Sequence, residues 1–449
     1  MKGDLPSSGP DLRFGRPLSA SEIRHLLAEA RERTLILTAS LPETDLRLQH
    51  DPLMSPIVWD LGHIGHFEEV WLIENLENGD MGSEGLHGIY NPFEHPRAVR
   101  DELPLPSLPE CRTYLDDVRR AVLDRLETVD LTTGEPLLRD GFVYRMVLQH
   151  EYQHCETILQ TLQLKRGVAY PAPRELDPPE PRPDAPAPGT TVRFPGADVV
   201  VGTNDRSVAY DNERPAHSIE VAPFQIDVHP VTNGEYGRFV DDDGYDRRDA
   251  WSRSGWAWKE QSDLRAPMYW TEDAQGRSER FMDRTVLLAT DSPVCHICYW
   301  EADAFARWAG KRLPTEVEWE TAASWDPVAG AKRAYPWGDD APTTADANLD
   351  ALLFETTAVG SYPAGVSPIG CWDMIGNVWE WTSTDFRGYA GYETFPYPEY
   401  SEAFFGNEYK VLRGGSWATR YGAIRNTFRN WDYPIRRQIF SGVRCAHDE

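Results

Sequence analysis

The chain has 449 residues, 41% of them apolar, and its 72 acidic residues outnumber its 45 basic ones to give a formal net charge of −27. This charge argues against nucleic acid and an anionic membrane as partners, because both are bound by basic faces. The apolar fraction is too high for a disordered chain, and the length predicts two to four domains.

The sequence shows no pattern for export or membrane insertion. No apolar run reaches the ~18 residues that a membrane span requires, and residues 1–17 lack the apolar stretch of a secretory signal. Six cysteines in 449 residues suit a reducing compartment better than a disulfide framework. Cys295 and Cys298 have a metal-ligand spacing, but no second pair of this kind completes a zinc site. We therefore expect a cytoplasmic protein.

Residues 18–170 are predicted to form a four-helix bundle. Apolar residues recur there at helical spacing in four stretches, and Ser21 is a plausible N-cap for the first of them. The four predicted helices cover residues 21–37, 55–76, 111–129 and 135–164. The connection between the second and third helices is long for a bundle, which favours a functional role for it.

The chain changes character after the bundle. Residues 171–189 are rich in proline and predict an extended, semi-rigid linker. Residues 190–449 are rich in Trp, Tyr and Gly, with short apolar runs between turn residues. A strand is predicted within residues 223–231, and a helix over 301–310 that ends at Gly310.

A pair of histidines on the fourth predicted helix has the spacing of metal ligands. His150 and His154 are four residues apart, so both imidazoles lie on one helix face. The same stretch matches the HExxH motif of zinc peptidases, in which Glu151 would be the general base. No downstream histidine follows with the spacing of a known peptidase of that type. A zinc peptidase is therefore an alternative interpretation, but a weak one.

A third metal ligand is available upstream on the second predicted helix. His63 and His66 are three residues apart, so either of them could face the bundle interior. Three imidazoles without a carboxylate ligand would leave coordination positions open for substrates and O2. Asp60, Glu151 and Glu156 are nearby carboxylates that could orient the imidazoles. The residues alone do not choose between zinc and iron, or between His63 and His66.

Several longer motifs carry a family resemblance. Those of the second half resemble the formylglycine-generating-enzyme-like domain, which is related to the C-type lectin fold, and the first half resembles a DinB-like four-helix bundle. The motifs of the second half are Thr232-Asn233, Arg312–Glu320, Tyr335–Gly338, Gly376–Thr382 and Leu412–Trp417. This fusion is similar to the ergothioneine-biosynthesis sulfoxide synthases, the EgtB family. The likeness is strongest at Asp51–His63, His95–Arg100 and Phe428–Phe440.

The resemblance implies a fold and an activity. The fold class would be α+β, with the bundle before the formylglycine-generating-enzyme-like domain. The activity would join the sulfur of γ-glutamylcysteine, or of cysteine, to carbon 2 of the hercynine imidazole with O2 at a non-haem Fe(II). Formylglycine-generating enzymes use cysteines after the Gly-Gly-Ser motif, but none occurs here between Gly414 and Arg444. The second half is therefore expected to bind substrate rather than to perform thiol chemistry.

The resemblance also implies roles for single residues. It selects His63, His150 and His154 as iron ligands and Tyr397 as the catalytic acid. A phenol can give up a proton or a hydrogen atom to an oxygen species. The hercynine contacts would be Gln153, Tyr400, Asn430, Trp431 and Asp432. Contacts to the carboxylates of the sulfur donor would come from Arg97, Arg100 and Arg436.

Some alternatives stay open at this point. The long second connection, with Arg97 and Arg100, resembles that of family members that use γ-glutamylcysteine, whereas members that use free cysteine differ there, so γ-glutamylcysteine is the preferred donor. Arginine suits its carboxylates because the planar guanidinium binds them in a bidentate manner. A related branch of the family forms carbon–selenium bonds from a selenosugar. A non-catalytic binding module is a further alternative, in which the three histidines would be dispensable. The lectin-like half belongs to a class of domain that often binds structural Ca2+.

Overall fold

The computed structural model describes residues 16–449 except Asn78, Asp80, Gly82 and Glu175. Residues 1–15, for which the sequence predicts no secretory signal, lie outside the described residues. The chain forms two compact units. The bundle unit holds the described residues up to Pro171 together with Arg206–Val208, and the C-terminal unit holds Ala172–Asp205 and Ala209–Glu449. No helix in the described part of the chain is both long and apolar enough to cross a membrane.

The bundle unit is helical, and its long helices pack α1 on α7 and α3 on both α6 and α7. Its helices are α1 Ala20–Thr38, α2 Glu43–Arg47, α3 Ile57–Glu69, α4 Asn75–Glu77, α5 Glu84–Tyr90, α6 Leu108–Leu126 and α7 Phe142–Gln163. A π-helical turn, Val70–Glu74, joins α3 to α4. The long second connection contains α5 and a 3-10 turn, Arg97–Glu102.

The helix ends differ from the predicted ones for local reasons. Ser19, and not Ser21, caps α1, because Glu22 stands three residues after Ser19 and completes a reciprocal capping box. Ser21 has Arg24 at that position, which cannot return the hydrogen bond. The last helix begins at Phe142 rather than near residue 135, because Gly141 adopts a left-handed conformation with φ 73°.

The C-terminal unit is built from short strands, small helices and long ordered loops. Its strands are β1 Thr191–Phe194, β2 Ala197–Val201, β3 His217–Val221, β4 Phe224–Asp227, β5 Trp270–Asp273, β6 Gly276–Phe281, β7 Arg284–Leu287, β8 Trp325–Asp326, β9 Ala331–Lys332, β10 Trp379–Asp385, β11 Lys410–Arg413, β12 Asn430–Asp432, β13 Ser441–Gly442 and β14 Ala446–Asp448. Its helices are α8 Asn233–Asp241, α9 Arg253–Lys259, α10 Tyr299–Trp308 and α11 Glu316–Ser324.

The largest sheet of this unit has the strand order β12-β11-β10-β13, and its pairs are antiparallel except β10 with β13. A second sheet has the order β1-β4-β14 and is antiparallel throughout. The strand predicted within residues 223–231 is β4, and the helix predicted over 301–310 is α10. The antiparallel sheets and the bundle together give the α+β class.

The proline-rich segment lies along the C-terminal unit. The amide of Leu176 donates to the carbonyl of Leu352 at 3.3 Å, and the amide of Arg182 donates to that of Gly360 at 3.0 Å. His229 contacts the Pro186 carbonyl through Nε2 at 2.9 Å. This segment contains no helix or strand among its described residues, as its prolines dictate. Its hydrogen bonds tie it to the C-terminal unit.

The motifs of the second half meet in a buried ionic core. Glu320 of α11 accepts from Arg413 Nη2 at 2.6 Å and from Lys332 Nζ at 2.7 Å. Its neighbour Glu316 accepts from Arg429 Nε at 2.9 Å. These side chains are buried or nearly so, and buried charges are stable only when they are paired in this way. Residues from distant parts of the sequence thereby hold the loops together.

Replacing Glu320 with glutamine is expected to lower the free energy of unfolding at neutral pH by about 3 kcal/mol. Burial opposes ionisation of Glu320, but Lys332 and Arg413 together lower its pKa from 4.5 to about 2. A depressed pKa stabilises the fold above the unfolded-state value and loses that contribution as the pH falls toward the folded-state value. The difference between wild type and variant should therefore shrink as the pH drops from about 4.5 toward 2.

Denaturant titrations followed by tryptophan fluorescence across this pH range measure the effect. Glu408→Gln is the matched control, because Glu408 is exposed. Equal stability of Glu320→Gln and the wild type at neutral pH would contradict the expectation.

Candidate metal centre and substrate residues

Three histidines from two helices of the bundle unit converge. His63 lies on α3, and His150 and His154 lie one turn apart on α7. One ring nitrogen from each of the three lies within 4.8 Å of the others, and Nε2 of His63 is 3.2 Å from Nε2 of His150. Such spacing matches donors that share one metal ion, since zinc or iron binds imidazole nitrogen at about 2.0–2.1 Å. The group has the geometry of a metal centre.

Hydrogen bonds fix the protonation of two of these rings. His63 Nδ1 is 2.8 Å from the Tyr90 carbonyl oxygen, and His154 Nδ1 is 3.1 Å from Oδ1 of Asp60. Carbonyl and carboxylate oxygens only accept, so each Nδ1 carries a hydrogen and Nε2 is the ring nitrogen left to face a metal. Metal-binding histidines are commonly oriented by such partners. The donor set therefore fits a bound metal.

The environment keeps His63 and His150 neutral. Burial, followed by the neighbouring His154, lowers the pKa of His63 well below 6.5. Burial and the other histidines lower the pKa of His150 in the same direction. Neutral imidazole is the form that binds a metal. These two rings are ready to coordinate at neutral pH without first losing a proton.

Aromatic rings hold two of these histidines in place. Trp59 stacks on His63 with 4.7 Å between ring centroids, and Phe67 stacks on His150 with 3.7 Å. Tyr90, whose carbonyl orients His63, packs its own ring against Gly62 of α3. A β-carbon at Gly62 would come within 2.1 Å of the Tyr90 ring. Gly62 therefore leaves space for Tyr90, whose carbonyl positions His63.

Replacing Gly62 with alanine is expected to weaken metal binding by about 10–100-fold, the usual effect of losing a group that orients a ligand. The methyl group would displace Tyr90 and with it the acceptor for His63 Nδ1. Metal affinity is measured by competition with a chelator. Gly85→Ala is the control, because its β-carbon would meet no atom within 4 Å. Wild-type affinity in Gly62→Ala would show that Tyr90 does not orient His63.

His66, the other histidine that the helix spacing allowed, is not part of the three-histidine group. Its ring meets that of His87 edge-to-face with 4.6 Å between centroids. Burial, followed by His87, lowers the pKa of His66 to about 4. The α3 histidine that joins His150 and His154 is thus His63.

Glu151, the base in the peptidase interpretation, points into a buried ionic cluster. It accepts from Arg31 Nε at 2.9 Å and from the Thr34 hydroxyl at 2.8 Å. Burial opposes its charge, but Arg31 and Arg119 together lower the pKa of Glu151. A carboxylate held by two arginines is a poor base for a metal-bound water. Of the three predicted orienting carboxylates, Asp60 contacts a histidine of the group, since its Oδ1 is 3.1 Å from His154 Nδ1; Glu156 is buried on α7.

The two arginines of the second connection differ in exposure. Arg97 is exposed, whereas Arg100 is buried with its guanidinium 3.6 Å from the Trp59 ring centroid. Arg100 donates to Ser55 Oγ at 2.8 Å and to the carbonyls of His95 and Pro92, each at 3.1 Å. Burial, followed by Arg97, lowers the pKa of Arg100 to about 10. Gln153 is half-buried on the α7 face that carries the histidines.

The remaining predicted residues form a cluster within the C-terminal unit. Tyr397 and Tyr400 are half-buried and 6.3 Å apart at their ring centroids, and Tyr400 lies 5.6 Å from Trp431. Trp431 belongs to β12 with Asn430 and Asp432 on either side. Asp432 Oδ1 is 3.3 Å from Arg436 Nε. Burial, followed by Tyr210, raises the pKa of Tyr397 well above 10.

Sequence reasoning missed several residues that shape these groups. Phe67 and Tyr90 flank the histidines, and Tyr210 stacks on Tyr400 with 4.1 Å between centroids. One signal was available for Tyr90, because a glycine inside a helix, here Gly62, often marks the close approach of another group. No local pattern distinguishes Phe67 or Tyr210 from ordinary core aromatic residues.

Two family models match the chain, one in each of its two halves. Residues 26–158 match the family model of the DinB superfamily, and residues 177–449 match that of the sulfatase-modifying factor enzyme 1-like domain. The chain is 46% identical over 439 residues to the hercynine oxygenase of Mycolicibacterium thermoresistibile, covering 95% of both chains. It is also 46% identical over 429 residues to that of Mycobacterium tuberculosis, covering 94% of this chain and 97% of the relative.

The chain belongs to the hercynine oxygenase family. This membership confirms the family and the fold class that the sequence motifs predicted. Among solved structures, that of PvdO from Pseudomonas aeruginosa is 23% identical with a TM-score of 0.42, covering 59% of this chain and all of PvdO. The hercynine oxygenase relatives, in contrast, match both halves of the chain.

Proposed function

We propose that this protein is a non-haem iron-dependent oxygenase of hercynine. It joins the sulfur of γ-glutamylcysteine to the imidazole C2 with O2 and forms a sulfoxide, a step of ergothioneine biosynthesis. The observation that supports this best is the three-histidine group, with two of its rings oriented by hydrogen bonds at Nδ1, in a member of the hercynine oxygenase family. His63, His150 and His154 would hold the iron. Fe(II) bound there supplies the redox chemistry by which O2 is used.

The protein's own residues determine what can bind beside the histidines. Among the described residues, the three-histidine group includes no carboxylate, so positions are left for substrate atoms. Imidazole and thiolate are both good ligands for iron, and holding two reactants in place removes much of the entropic barrier. Trp59 and Phe67 keep the histidine rings fixed while substrates exchange.

Hercynine recognition is assigned to an aromatic and acidic cluster. Its trimethylammonium group donates no hydrogen bond, so an aromatic face and a carboxylate must bind it. Trp431 and Asp432 supply these, with the amide of Asn430 next to them. Tyr400 and Gln153 are assigned to the hercynine imidazole, because a phenol and an amide can each hydrogen-bond a ring nitrogen.

Tyr397 is assigned as the proton donor. Burial raises the pKa of its phenol well above 10, so Oη keeps its proton throughout the neutral range. A catalytic acid must hold its proton until the reaction needs it.

The donor carboxylates are assigned to Arg97, Arg100 and Arg436. The guanidinium of Arg97 is exposed and suited to a ligand, and that of Arg436 lies beside Asp432. Asp432 could in turn accept from the ammonium group of the donor. Two carboxylates on γ-glutamylcysteine match several arginines better than the single carboxylate of cysteine does.

Replacing Arg97 with alanine is expected to raise the KM for γ-glutamylcysteine by about 10–100-fold with little change in kcat, which corresponds to the loss of one charged hydrogen-bonding contact. Initial rates at varied donor concentration measure both constants. Arg120→Ala, an exposed arginine of α6, is the control. An unchanged KM for the donor would remove Arg97 from its binding site.

The reaction itself is tested with Fe(II), a reductant, O2 and hercynine, with γ-glutamylcysteine, cysteine or a selenosugar in separate samples. Product masses are read by liquid chromatography and mass spectrometry. A sulfoxide adduct from γ-glutamylcysteine alone is expected. An adduct from cysteine or the selenosugar instead would keep the iron chemistry but replace the donor. No adduct from iron-loaded protein would contradict the proposed activity.

The alternatives make different predictions for the same assay. A zinc peptidase would need Glu151, so Glu151→Gln would abolish its activity, whereas the oxygenase should lose stability through the Arg31 cluster and keep its turnover per folded molecule. A binding module would tolerate loss of any of the three histidines. A structural Ca2+ in the C-terminal unit stays a prediction of the resemblance, and calcium analysis of the purified protein tests it.

A further inference from the structure

A second group of metal-ligand side chains lies in the bundle unit, apart from the three histidines. Ligand atoms of Glu69, Glu74 and His87 all lie within 4.8 Å of one another. Glu69 ends α3, Glu74 ends the π-helical turn and His87 lies on α5. His87 Nε2 is 3.1 Å from Glu74 Oε1. The group thus connects α5 of the long connection to the end of α3.

The π-helical turn brings the two carboxylates together. In an α-helix with 3.6 residues per turn, residues five apart point about 140° away from each other. The π turn has hydrogen bonds between residues five apart, such as that from the Asn75 amide to the Val70 carbonyl, so such residues come nearly above one another. Turns of this kind are rare and often occur at functional sites. Here the turn places Glu69 and Glu74 on the same side of the helix.

Buried polar atoms in and beside this group lack a hydrogen-bond partner in the described part of the chain. Glu69 is fully buried; its Oε2 accepts from the Tyr114 hydroxyl, whereas its Oε1 has no partner among the described residues. His66 is 8% exposed, and its Nδ1 has no partner either, although its ring contacts that of His87. A buried carboxylate oxygen without a donor is strongly destabilising. A cation at this position would satisfy it.

We propose that Glu69, Glu74 and His87 bind a divalent transition-metal ion of the Zn2+ type, at a site separate from the three histidines. Two carboxylates balance its charge, and the imidazole selects against Ca2+ and Mg2+, which prefer oxygen ligands. Zinc binds such donors at about 2.0–2.2 Å, so adjacent donors lie about 3.4 Å apart in a tetrahedral site. The 3.1 Å between His87 and Glu74 is close to that distance. Tyr114 orients Glu69 through its hydroxyl.

The site would have a structural consequence for the three-histidine group. The helix that supplies His87 ends at Tyr90, whose carbonyl orients His63. An ion bound by Glu69, Glu74 and His87 would tie this helix to α3 and so hold Tyr90 in place. The inference concerns metal binding alone and does not depend on the proposed reaction.

Zinc stoichiometry tests the proposal. Chelator-treated full-length protein is titrated with Zn2+, and bound zinc is counted by elemental mass spectrometry after gel filtration. Wild type is expected to bind two ions per chain, and His63→Ala/His154→Ala one. Adding Glu74→Gln and His87→Ala to that double variant should remove the remaining ion. Adding Glu102→Gln and His25→Ala, two exposed residues of the same unit, should leave it bound.

Two results would overturn the proposal. One is the absence of zinc from folded His63→Ala/His154→Ala, and the other is retention of zinc after Glu74 and His87 are replaced. Glu74 and His87 are partly exposed, so their substitution should preserve the fold, which circular dichroism checks. Glu69→Gln gives an independent measurement, since it keeps an acceptor for Tyr114 but should weaken zinc binding by about tenfold or more. Unchanged zinc affinity in this variant would also contradict the site.

Discussion

Replacing His154 with alanine is expected to abolish hercynine conversion and to weaken Fe(II) binding by about 100-fold or more. The loss should exceed the about 10–100-fold effect of removing a group that only orients a ligand, because the ligand itself is removed. The variant removes one of three imidazoles, each with a ring nitrogen within 4.8 Å of those of the others. Iron content after anaerobic loading and product formation by mass spectrometry measure the two effects.

Two further variants make this test specific. Asp60→Asn keeps the shape of the residue next to His154 Nδ1 but removes its charge, so it should weaken iron binding by about 10–100-fold and leave some activity. His25→Ala changes an exposed histidine of α1 and should change neither quantity. Full activity in His154→Ala would show that the catalytic metal lies elsewhere.

Replacing Tyr397 with phenylalanine is expected to slow sulfoxide formation by about 10²–10⁴-fold, the usual contribution of a positioned acid. The variant removes one hydroxyl group and keeps the ring that contacts Tyr400. Iron content and the KM for hercynine should stay near the wild-type values, because the loss affects a proton transfer rather than binding.

Tyr400→Phe is the matched comparison for Tyr397. It also removes one hydroxyl, but its ring would keep the stacking on Tyr210. We expect this variant to affect the KM for hercynine more than kcat, since Tyr400 is assigned to substrate contact. If both variants slowed the reaction equally at saturating substrate, the assignment of the acid to Tyr397 alone would be wrong.

The pH dependence of the rate in wild type and in Tyr397→Phe adds a second test. Tyr397 holds its proton far above neutral pH because burial disfavours the phenolate. Its contribution to rate should therefore stay constant from about pH 6 to 9 and be lost only above the ordinary phenol pKa of about 10. A fall in rate across that range with wild type, absent in Tyr397→Phe, would indicate a phenol whose pKa is lowered rather than raised.

The sequence by itself determined the fold class, the order of the two halves and the family. These follow from local patterns and long motifs, which need no knowledge of packing. The pairing of His150 with His154 was also readable, because residues four apart on a helix share a face. The regular spacing within one helix does not predict contacts with another helix. The same reasoning therefore left open whether His63 or His66 joins the pair, and only the family resemblance chose between them.

The tertiary structure decided which neighbours each of these side chains has. Docking of α3 on α7 places His63 beside His150, whereas docking of α1 on α7 places Arg31 beside Glu151, although Glu151 is adjacent to His150 in sequence. The carbonyl of Tyr90 and the ring of Phe67 reach the histidines from positions with no motif of their own. The π turn that joins Glu69 to Glu74 breaks the α-helical period on which sequence reasoning depends. Helix geometry determines which side chains share one face of a helix, whereas contacts between elements depend on how those elements pack.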